Sequence, residues 1–157
     1  MHGITTCLWF DTQAEEAAKH YTSIFSDGRI THVDYYGSAG PREEDLVKTV
    51  SFEVAGHKLI ALNGGPNYTF NEAISLMVHC DTQDEVDDLW VRLGDGGEGG
   101  PCGWLKDRYG LSWQVVPALL FELVDDPDPV KSQAVMAAML QMGKLDSAAL
   151  QAAYDNA

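Results

Sequence analysis

Cys102 and His79 are the two side chains of this sequence that could do catalytic chemistry in a pocket. Cys102 stands in GGPCGWLKD, shortly before Lys106. A thiol beside an ammonium can have a lowered pKa and act as a nucleophile. His79 belongs to the residue type that titrates near neutral pH and moves protons. A thiol packed in a loop and a hydrogen-bonded pocket histidine are the alternatives, so both residues are catalytic candidates and no more.

The neutral amide of Gln114 is a third chemical feature, in the middle of the apolar strand GLSWQVVP. An amide both donates and accepts hydrogen bonds, so Gln114 suits a carbonyl or another neutral polar group. Successive side chains of a strand point to opposite faces. We therefore expect Trp113 in the core and Gln114 on a concave face, with Ser75 and Thr5 as candidate neighbours.

Two repeated segments must position these residues: ITTCLWFDTQAEEAAKHYTSIF from Ile4 and AISLMVHCDTQDEVDDLWVRL from Ala73. In each, a short apolar strand runs into Asp-Thr-Gln and then into a helical pattern, and the triplets at Asp11 and Asp81 lie 70 positions apart. Further strand patterns follow each helix. The order predicts two βαβββ modules, over residues 1–63 and 74–117, joined by GGPNYTFNEA.

Both helices begin with capping-box spacing, a threonine followed three residues later by a glutamate. The pairs are Thr12 with Glu15 and Thr82 with Glu85. Each hydroxyl is expected to accept a hydrogen bond from a backbone amide of the first turn, while the glutamate reaches back to the cap. The strongly apolar strand faces should lie under these helices, and the mixed faces should line a shared concave surface.

Beyond Pro117 the chain carries an addition that is predicted to be helical. The sequence DPDP introduces one helix near Pro129, and a second is expected from Leu145 to Tyr154. We predict a single domain over residues 1–120 and a helical extension over residues 121–157. The methionine-containing stripe of the first added helix indicates a cap or a dimer contact, with a ligand lid as the alternative.

Composition excludes several classes of partner. The formal net charge is −14 and the isoelectric point about 4.4, and such a surface repels nucleic acid and anionic membrane. No apolar run approaches a membrane span and no signal peptide pattern opens the sequence. Three cysteines without CxxC spacing fit reduced thiols. We expect a cytoplasmic location, no nucleic acid and no membrane as partners.

No cofactor is expected. Gly94, Gly96 and Gly99 have the spacing of a dinucleotide fingerprint, but they follow a predicted helix instead of a strand. Asp95 and Glu98 lie in the same run and would repel a pyrophosphate. An S-adenosylmethionine site would need a doubly wound alternation of strands and helices, which the pattern does not supply.

Three stretches carry a resemblance to a known family: LNGGPNYTFNEAISLMVHC, CGWLKDRYGLSWQVVP and VMAAMLQMGKLD. They resemble the PhnB-like branch, also called demethylubiquinone methyltransferase-like, of the vicinal oxygen chelate superfamily, which contains glyoxalases, bleomycin-resistance proteins and extradiol dioxygenases. The resemblance covers nearly the whole chain. It implies an α+β fold in which two βαβββ modules form a cupped mixed β-sheet with C-terminal helices, and it implies a homodimer.

The superfamily's metal-using members place histidine and glutamate ligands on the first and last strands of each module. Carried over by register, the resemblance puts those positions here at Thr5, about Ala61, Ser75 and Gln114. Divalent metals need imidazole, carboxylate or thiolate ligands, so no metal site is expected at these four residues.

We therefore predict a metal-free small-molecule-binding protein of the vicinal oxygen chelate fold, with an unknown ligand. The expected lining residues of its cup are Trp9, Asn63, Phe70, Ser75, His79, Cys102 and Gln114. Two alternatives stay open. One is an enzyme of the same fold, of lyase, isomerase or hydrolase type, that depends on a metal or on Cys102 and His79. The other is a non-catalytic dimeric interaction module.

Overall fold

A computed structural model of the chain describes residues 3–157. These residues form two compact units, one ending at Phe70 and one beginning at Asn71. The first unit contains module one and the second contains module two with the C-terminal helices. No helix within residues 3–157 is long and apolar enough to cross a membrane.

Module one has the predicted βαβββ order. Its elements are β1 (Thr6–Phe10), α1 (Ala14–Ile24), β2 (Arg29–Tyr35), β3 (Val47–Val54) and β4 (His57–Asn63). The sheet order is β1-β4-β3-β2, with β1 parallel to β4 and the other neighbours antiparallel. The buried face of α1 is mostly alanine, which lets the helix approach the sheet closely, and it packs chiefly on β3.

Module two repeats this topology, and its last three strands are shorter than their counterparts in module one. Its elements are β5 (Ser75–Cys80), α2 (Gln83–Gly94), β6 (Glu98–Gly99), β7 (Trp104–Lys106) and β8 (Ser112–Pro117). The sheet order β5-β8-β7-β6 matches that of module one, and β5 is parallel to β8. The two βαβββ modules and the α+β class are thus confirmed. The alternation of β8 is confirmed too, since Trp113 is only 2% exposed and its indole donates to Asp107 Oδ2 at 2.9 Å.

The predicted capping boxes differ in outcome. In α2 the box forms: Thr82 Oγ1 accepts from the Glu85 amide at 3.2 Å, and the Glu85 carboxylate accepts from the Thr82 amide at 3.3 Å. In α1 the prediction is wrong, because the N-cap residue is Gln13 and its side chain makes no capping bond. The Ala14 amide donates instead to Asn63 Oδ1, at 2.8 Å, from the end of β4.

The C-terminal helices are α3 (Ala118–Val124), α4 (Pro129–Met139) and α5 (Ser147–Asp155). Helix α3 was not predicted from the sequence, and the predicted boundary after residue 120 falls inside it. Asp128 caps α4 by accepting from the Val130 amide at 2.9 Å. A buried apolar cluster joins the three helices to β8: Val116, Leu120, Leu123, Val135, Leu145 and Leu150. The side chains of Met139 and Met142 pack against this cluster.

Candidate functional site

The face of the module-two sheet that carries Gln114 is the candidate functional site, and we call it the mixed face. In the register of the sheet, Gln114 lies between Met77 on β5 and Trp104 on β7, and Ser112 lies between Ser75 and Lys106. Leu105 and Trp113 point to the other face, where they are buried on the side of α2. The pleat therefore gathers polar and aromatic side chains on one surface and the apolar core on the other.

Gln114 has the partner that the alternation of strand faces predicts. Its Nε2 donates to Ser75 Oγ at 2.9 Å, and both side chains are half-buried. The hydroxyl of Ser75 thereby fixes the amide plane, which leaves the Gln114 carbonyl oxygen as an acceptor. The pair is uncharged, so this part of the mixed face can orient a polar ligand and cannot neutralise a charged one.

A cavity of about 370 Å³ lies in module two, and its lining includes Ser112, the residue that pairs with Ser75 across β5 and β8, but neither Ser75 nor Gln114. Its walls are Glu72, Glu98, Gly99, Gly100, Pro101, Trp104, Leu105, Lys106 and Ser112. The volume lies at the lower end of the range of about 300–1,000 Å³ that is usual for small-molecule sites. One aromatic ring, a proline and glycine backbone supply the apolar part, and four polar side chains supply possible contacts.

Ser112 is the unusual residue of this cavity. It is 1% exposed, and its hydroxyl has no hydrogen-bond partner within the described part of the chain. A buried hydroxyl without a partner costs about 1–3 kcal/mol of folding free energy. The hydroxyl of Ser112 therefore lowers the stability of the fold. This makes Ser112 a candidate contact for a ligand.

A second polar feature of the cavity is the ion pair between Lys106 Nζ and Glu72 Oε1. The Glu72 carboxylate raises the pKa of Lys106, and the more distant Glu98 adds to this effect. In return the Lys106 ammonium lowers the pKa of Glu72. Both members of the pair are therefore charged at neutral pH, and the exposed Glu98 stands opposite Lys106 in the β6–β7 pairing.

Of the residues that the sequence predicted for the cup, three lie in the first unit, two in module one and Phe70 in the segment after β4. Trp9 is half-buried, and its indole donates to the Gly65 carbonyl at 2.8 Å. The Trp9 ring meets Tyr68 edge to face, with 4.9 Å between ring centroids. Phe70 packs on Phe10, a residue of the buried face, at 5.3 Å. The segment after β4 thus folds back and occupies aromatic surface of β1.

Asn63 does not lie where the sequence predicted. It is 1% exposed and lies on the same face of β4 as the buried Leu59 and Ala61. Its Oδ1 accepts from Ala14, as described above, and its Nδ2 donates to the Val47 carbonyl at 2.9 Å. Asn63 therefore does not line the mixed face, contrary to the prediction, because the chain needs its amide to close the start of α1.

The remaining predicted residues lie in module two, and the structure does not join them into a catalytic group. His79 is exposed, and its ring packs on Phe121 of α3 with 5.2 Å between centroids. Cys102 is half-buried in a turn with a φ of 56°, and its amide donates to the Met142 carbonyl at 2.7 Å. That bond attaches the turn to the loop after α4. Catalytic roles for Cys102 and His79 stay predictions.

The metal positions implied by the resemblance do not fit a metal. Cys7 pairs with Ile60 as Met77 pairs with Gln114, so the module-one counterpart of Gln114 is Ile60 and not Ala61. Ala61 is fully buried under α1. The donor set of Thr5, Ile60, Ser75 and Gln114 lacks carboxylate and imidazole, and residues 3–157 contain no cluster of three acidic, histidine or cysteine side chains that could hold an ion.

Sequence reasoning missed Trp104, Lys106, Glu72 and Glu98 as wall residues. The signal was present for two of them, since in Trp104-Leu105-Lys106 the central leucine belongs to the core and its neighbours must face away from it. Glu72 and Glu98 carried no such signal. They reach the cavity only through the fold of the connecting segments.

The mixed face of module one has a depression of similar volume, about 360 Å³. It is lined by Thr5, Thr31, Ser51, Phe52, Glu53, Lys58, Leu59 and Ile60. Glu53 accepts from Arg29 at 2.7 Å, and the Thr31 hydroxyl donates to the Ser51 carbonyl at 3.2 Å. Glu53 and Thr31 are thus engaged with neighbouring strands, in contrast to Ser112.

The sequence profile of the family described as 3-demethylubiquinone-9 3-methyltransferase matches residues 2–116, which include both modules and exclude the helices from α3 onward. No curated protein is similar enough to the chain to be matched. Among solved structures, a PhnB protein of Bacillus cereus described as a 3-demethylubiquinone-9 3-methyltransferase is 34% identical, with a TM-score of 0.66. The similarity covers 74% of this chain and 100% of that one.

Two more distant structures share the fold. Protein PA1353 of Pseudomonas aeruginosa is 21% identical over 74% of this chain and 98% of its own, with a TM-score of 0.60. The fosfomycin resistance protein FosX of Listeria monocytogenes is 15% identical over 75% and 94%, with a TM-score of 0.51. At these identities the likeness concerns the fold alone.

Proposed function

This chain belongs to the family described as 3-demethylubiquinone-9 3-methyltransferase, the PhnB-like branch of the vicinal oxygen chelate superfamily, and from this premise we propose that it binds a small organic molecule in the module-two cavity without a resident metal. The proposal concerns binding. The family description names a methyltransferase, but the βαβββ modules do not have the doubly wound topology expected of an S-adenosylmethionine site.

The single observation that carries the proposal is the unpartnered hydroxyl of Ser112 in a cavity walled by Trp104. A ligand that hydrogen-bonds to this hydroxyl would recover the free energy that its burial costs. Trp104 offers a large rigid surface for apolar contact. Gln114, held by Ser75, supplies a neutral acceptor at the next position of the same face.

A cavity of this size also favours binding over the alternative of a pure interaction module, since a filled pocket would be expected in that case. The proposal includes the homodimer that the resemblance implies and a cytoplasmic location. Light scattering coupled to size-exclusion chromatography measures the first. Elemental analysis of protein purified without chelator measures the metal content, and a stoichiometric transition metal would contradict the metal-free part of the proposal.

Binding is tested with a fragment and metabolite panel read by thermal shift and by ligand-detected NMR. We expect hits whose binding is lost in Trp104→Ala and weakened about 10-fold in Ser112→Ala, which corresponds to one hydrogen bond. Ser132→Ala on α4, which is not a wall residue, is the matched control and should bind as the wild type does. Hits that bind equally well to Trp104→Ala and Ser112→Ala would contradict this site.

The catalytic alternative has its own measurement. A Cys102 nucleophile requires a thiolate at neutral pH, so its alkylation rate at pH 7 must exceed that of an ordinary thiol. Cys80 provides an internal reference, because burial and the nearby Glu85 and Asp81 raise its pKa to about 11. An alkylation rate of Cys102 no higher than that of a free cysteine would speak against an activated nucleophile.

A further inference from the structure

The charges around the module-two cavity are unequal. Three ionisable side chains line it, the carboxylates of Glu72 and Glu98 and the ammonium of Lys106. Lys106 contacts Glu72, and it also stands opposite Glu98 in the β6–β7 pairing, so one cation serves two anions. The cavity therefore carries a net charge of about −1, within a chain whose formal net charge is −14.

From these charges we infer that the ligand is an organic cation, an amine or quaternary ammonium attached to an aromatic or apolar body; this rests on the proposed function. To bind Lys106, an anionic ligand would have to break the ion pair between Lys106 and Glu72. It would also be repelled by the net negative charge of the chain. A cation displaces nothing and adds the positive charge that the cavity lacks.

Trp104 supplies the second element of cation recognition. It lies on the same face of β7 as Lys106, with Leu105 pointing to the core between them. The face of an indole attracts an ammonium group through the ring quadrupole, and an adjoining carboxylate adds Coulomb attraction. Glu98 and Trp104 line the same cavity, so the aromatic ring and the free carboxylate can act on one ligand.

Ser112 supplies the third element, and it is independent of the charges. A hydroxyl oxygen can accept a hydrogen bond from an ammonium N–H, and that of Ser112 has no partner in the described chain. A primary amine would therefore use both Ser112 and Glu98, whereas a quaternary ammonium would use Trp104 and Glu98 only. The two kinds of cation share the ring and the carboxylate, and Ser112→Ala separates them.

The test uses three probes with the same aromatic ring and different charge: benzylammonium, benzyl alcohol and benzoate at pH 7. Dissociation constants are measured by the chemical shift of the Trp104 indole N–H in the full-length protein. We expect benzylammonium to bind about 5-fold or more tightly than benzyl alcohol, and benzoate to bind most weakly, as a site with one excess negative charge requires. Added salt should weaken the binding of benzylammonium and leave the binding of benzyl alcohol unchanged.

Two charge variants act in opposite directions. Glu98→Gln should weaken the binding of benzylammonium about 3-fold. Lys106→Gln should strengthen its binding by a similar factor, because the cavity becomes more negative. Glu44→Gln, in an exposed loop of module one, changes the net charge by the same unit as Glu98→Gln and is the matched control. It should leave all three dissociation constants unchanged.

The outcomes separate this inference from the proposed function. If benzoate or benzyl alcohol binds more tightly than benzylammonium, and ligand-detected NMR shows that Trp104→Ala abolishes that binding, the cavity binds ligands but the cation assignment is wrong. If Lys106→Gln weakens benzylammonium, or none of the three probes moves the Trp104 signal, the cation assignment is also overturned. Methylating the probe amine to a trimethylammonium then reports on Ser112: only the primary amine should lose affinity in Ser112→Ala.

Discussion

Module one and module two have the same strand order and the same pairing of their parallel strands, but they complete the start of their helices differently. The end of β1 pairs Phe10 with Asn63, and the end of β5 pairs Cys80 with Pro117. Asn63 provides an amide that caps α1, whereas Pro117 has no polar side chain to offer. Module two accordingly caps α2 locally with the box of Thr82.

The mixed faces differ in a corresponding way. In module one the segment after β4 returns to the sheet, and Gly64, Gly65 and Tyr68 contact Trp9. In module two the segment after β8 becomes α3, whose Phe121 meets His79, the residue 70 positions after Trp9. The module-two cavity is lined by Ser112, which pairs with the first residue of β5. Both modules keep a depression on this face, and the segment that follows the last strand takes a different course in each.

The largest effect that tests this comparison is expected from Asn63→Ala. The Ala14 amide and the Val47 carbonyl would both lose their partner next to the core, which costs about 2–4 kcal/mol of unfolding free energy. The counterpart Thr82→Ala removes a more exposed cap and should cost about 1 kcal/mol. Chemical denaturation of both variants measures the difference, and equal costs would contradict the distinction between the two modules.

Gly64→Ala tests the closing of module one. A Cβ on Gly64 would lie 2.3 Å from the Trp9 ring, so the ring or the backbone must move, at a cost of about 1–3 kcal/mol. Gly37→Ala is the control, because a Cβ there meets no atom within 4 Å. Thermal unfolding compares the two. A Gly64→Ala protein as stable as Gly37→Ala would mean that the Trp9 ring does not rest on this segment.

The glutamines of the two Asp-Thr-Gln triplets allow a matched test of how the C-terminal helices are held. Gln83 donates to the Leu145 carbonyl at 3.0 Å and accepts from the Ser147 amide at 2.8 Å, whereas Gln13 is exposed. We expect Gln83→Ala to lower the unfolding free energy by about 1–2 kcal/mol and Gln13→Ala to change it by less than about 0.5 kcal/mol. Similar values for both would show that the extension is not held by this amide.

The smallest effects concern two serines that face each other across β5 and β8. Ser75→Ala loses the bond to Gln114 and should destabilise by about 1 kcal/mol. Ser112→Ala removes an unpartnered hydroxyl and should leave stability unchanged or raise it by up to about 1 kcal/mol. Urea denaturation without ligand gives both values. A clear loss of stability in Ser112→Ala would mean that its hydroxyl already has a partner.

Periodicity was enough to predict the modules, because each strand and helix records its buried face within its own residues. The cap of α1 was beyond such reasoning: Asn63 is 49 residues from Ala14, and the local box at Thr12 looked sufficient. The cavity was missed for a related reason. Its walls come from the two-residue strand β6, the three-residue strand β7 and the segment before β5. The pairing register between strands brings these segments together, and a short sequence pattern does not reveal that register.

The central claim is that the ligand binds in the module-two cavity, beside Trp104. The most direct measurement follows the indole N–H signals of the four tryptophans in ¹⁵N-labelled protein during titration with benzylammonium, benzyl alcohol and benzoate. Trp104→Phe assigns the decisive signal. We predict a saturable shift of Trp104 and no shift of Trp9; a saturable shift of Trp9 with Trp104 unmoved, or no shift with any of the three probes, would contradict the claim.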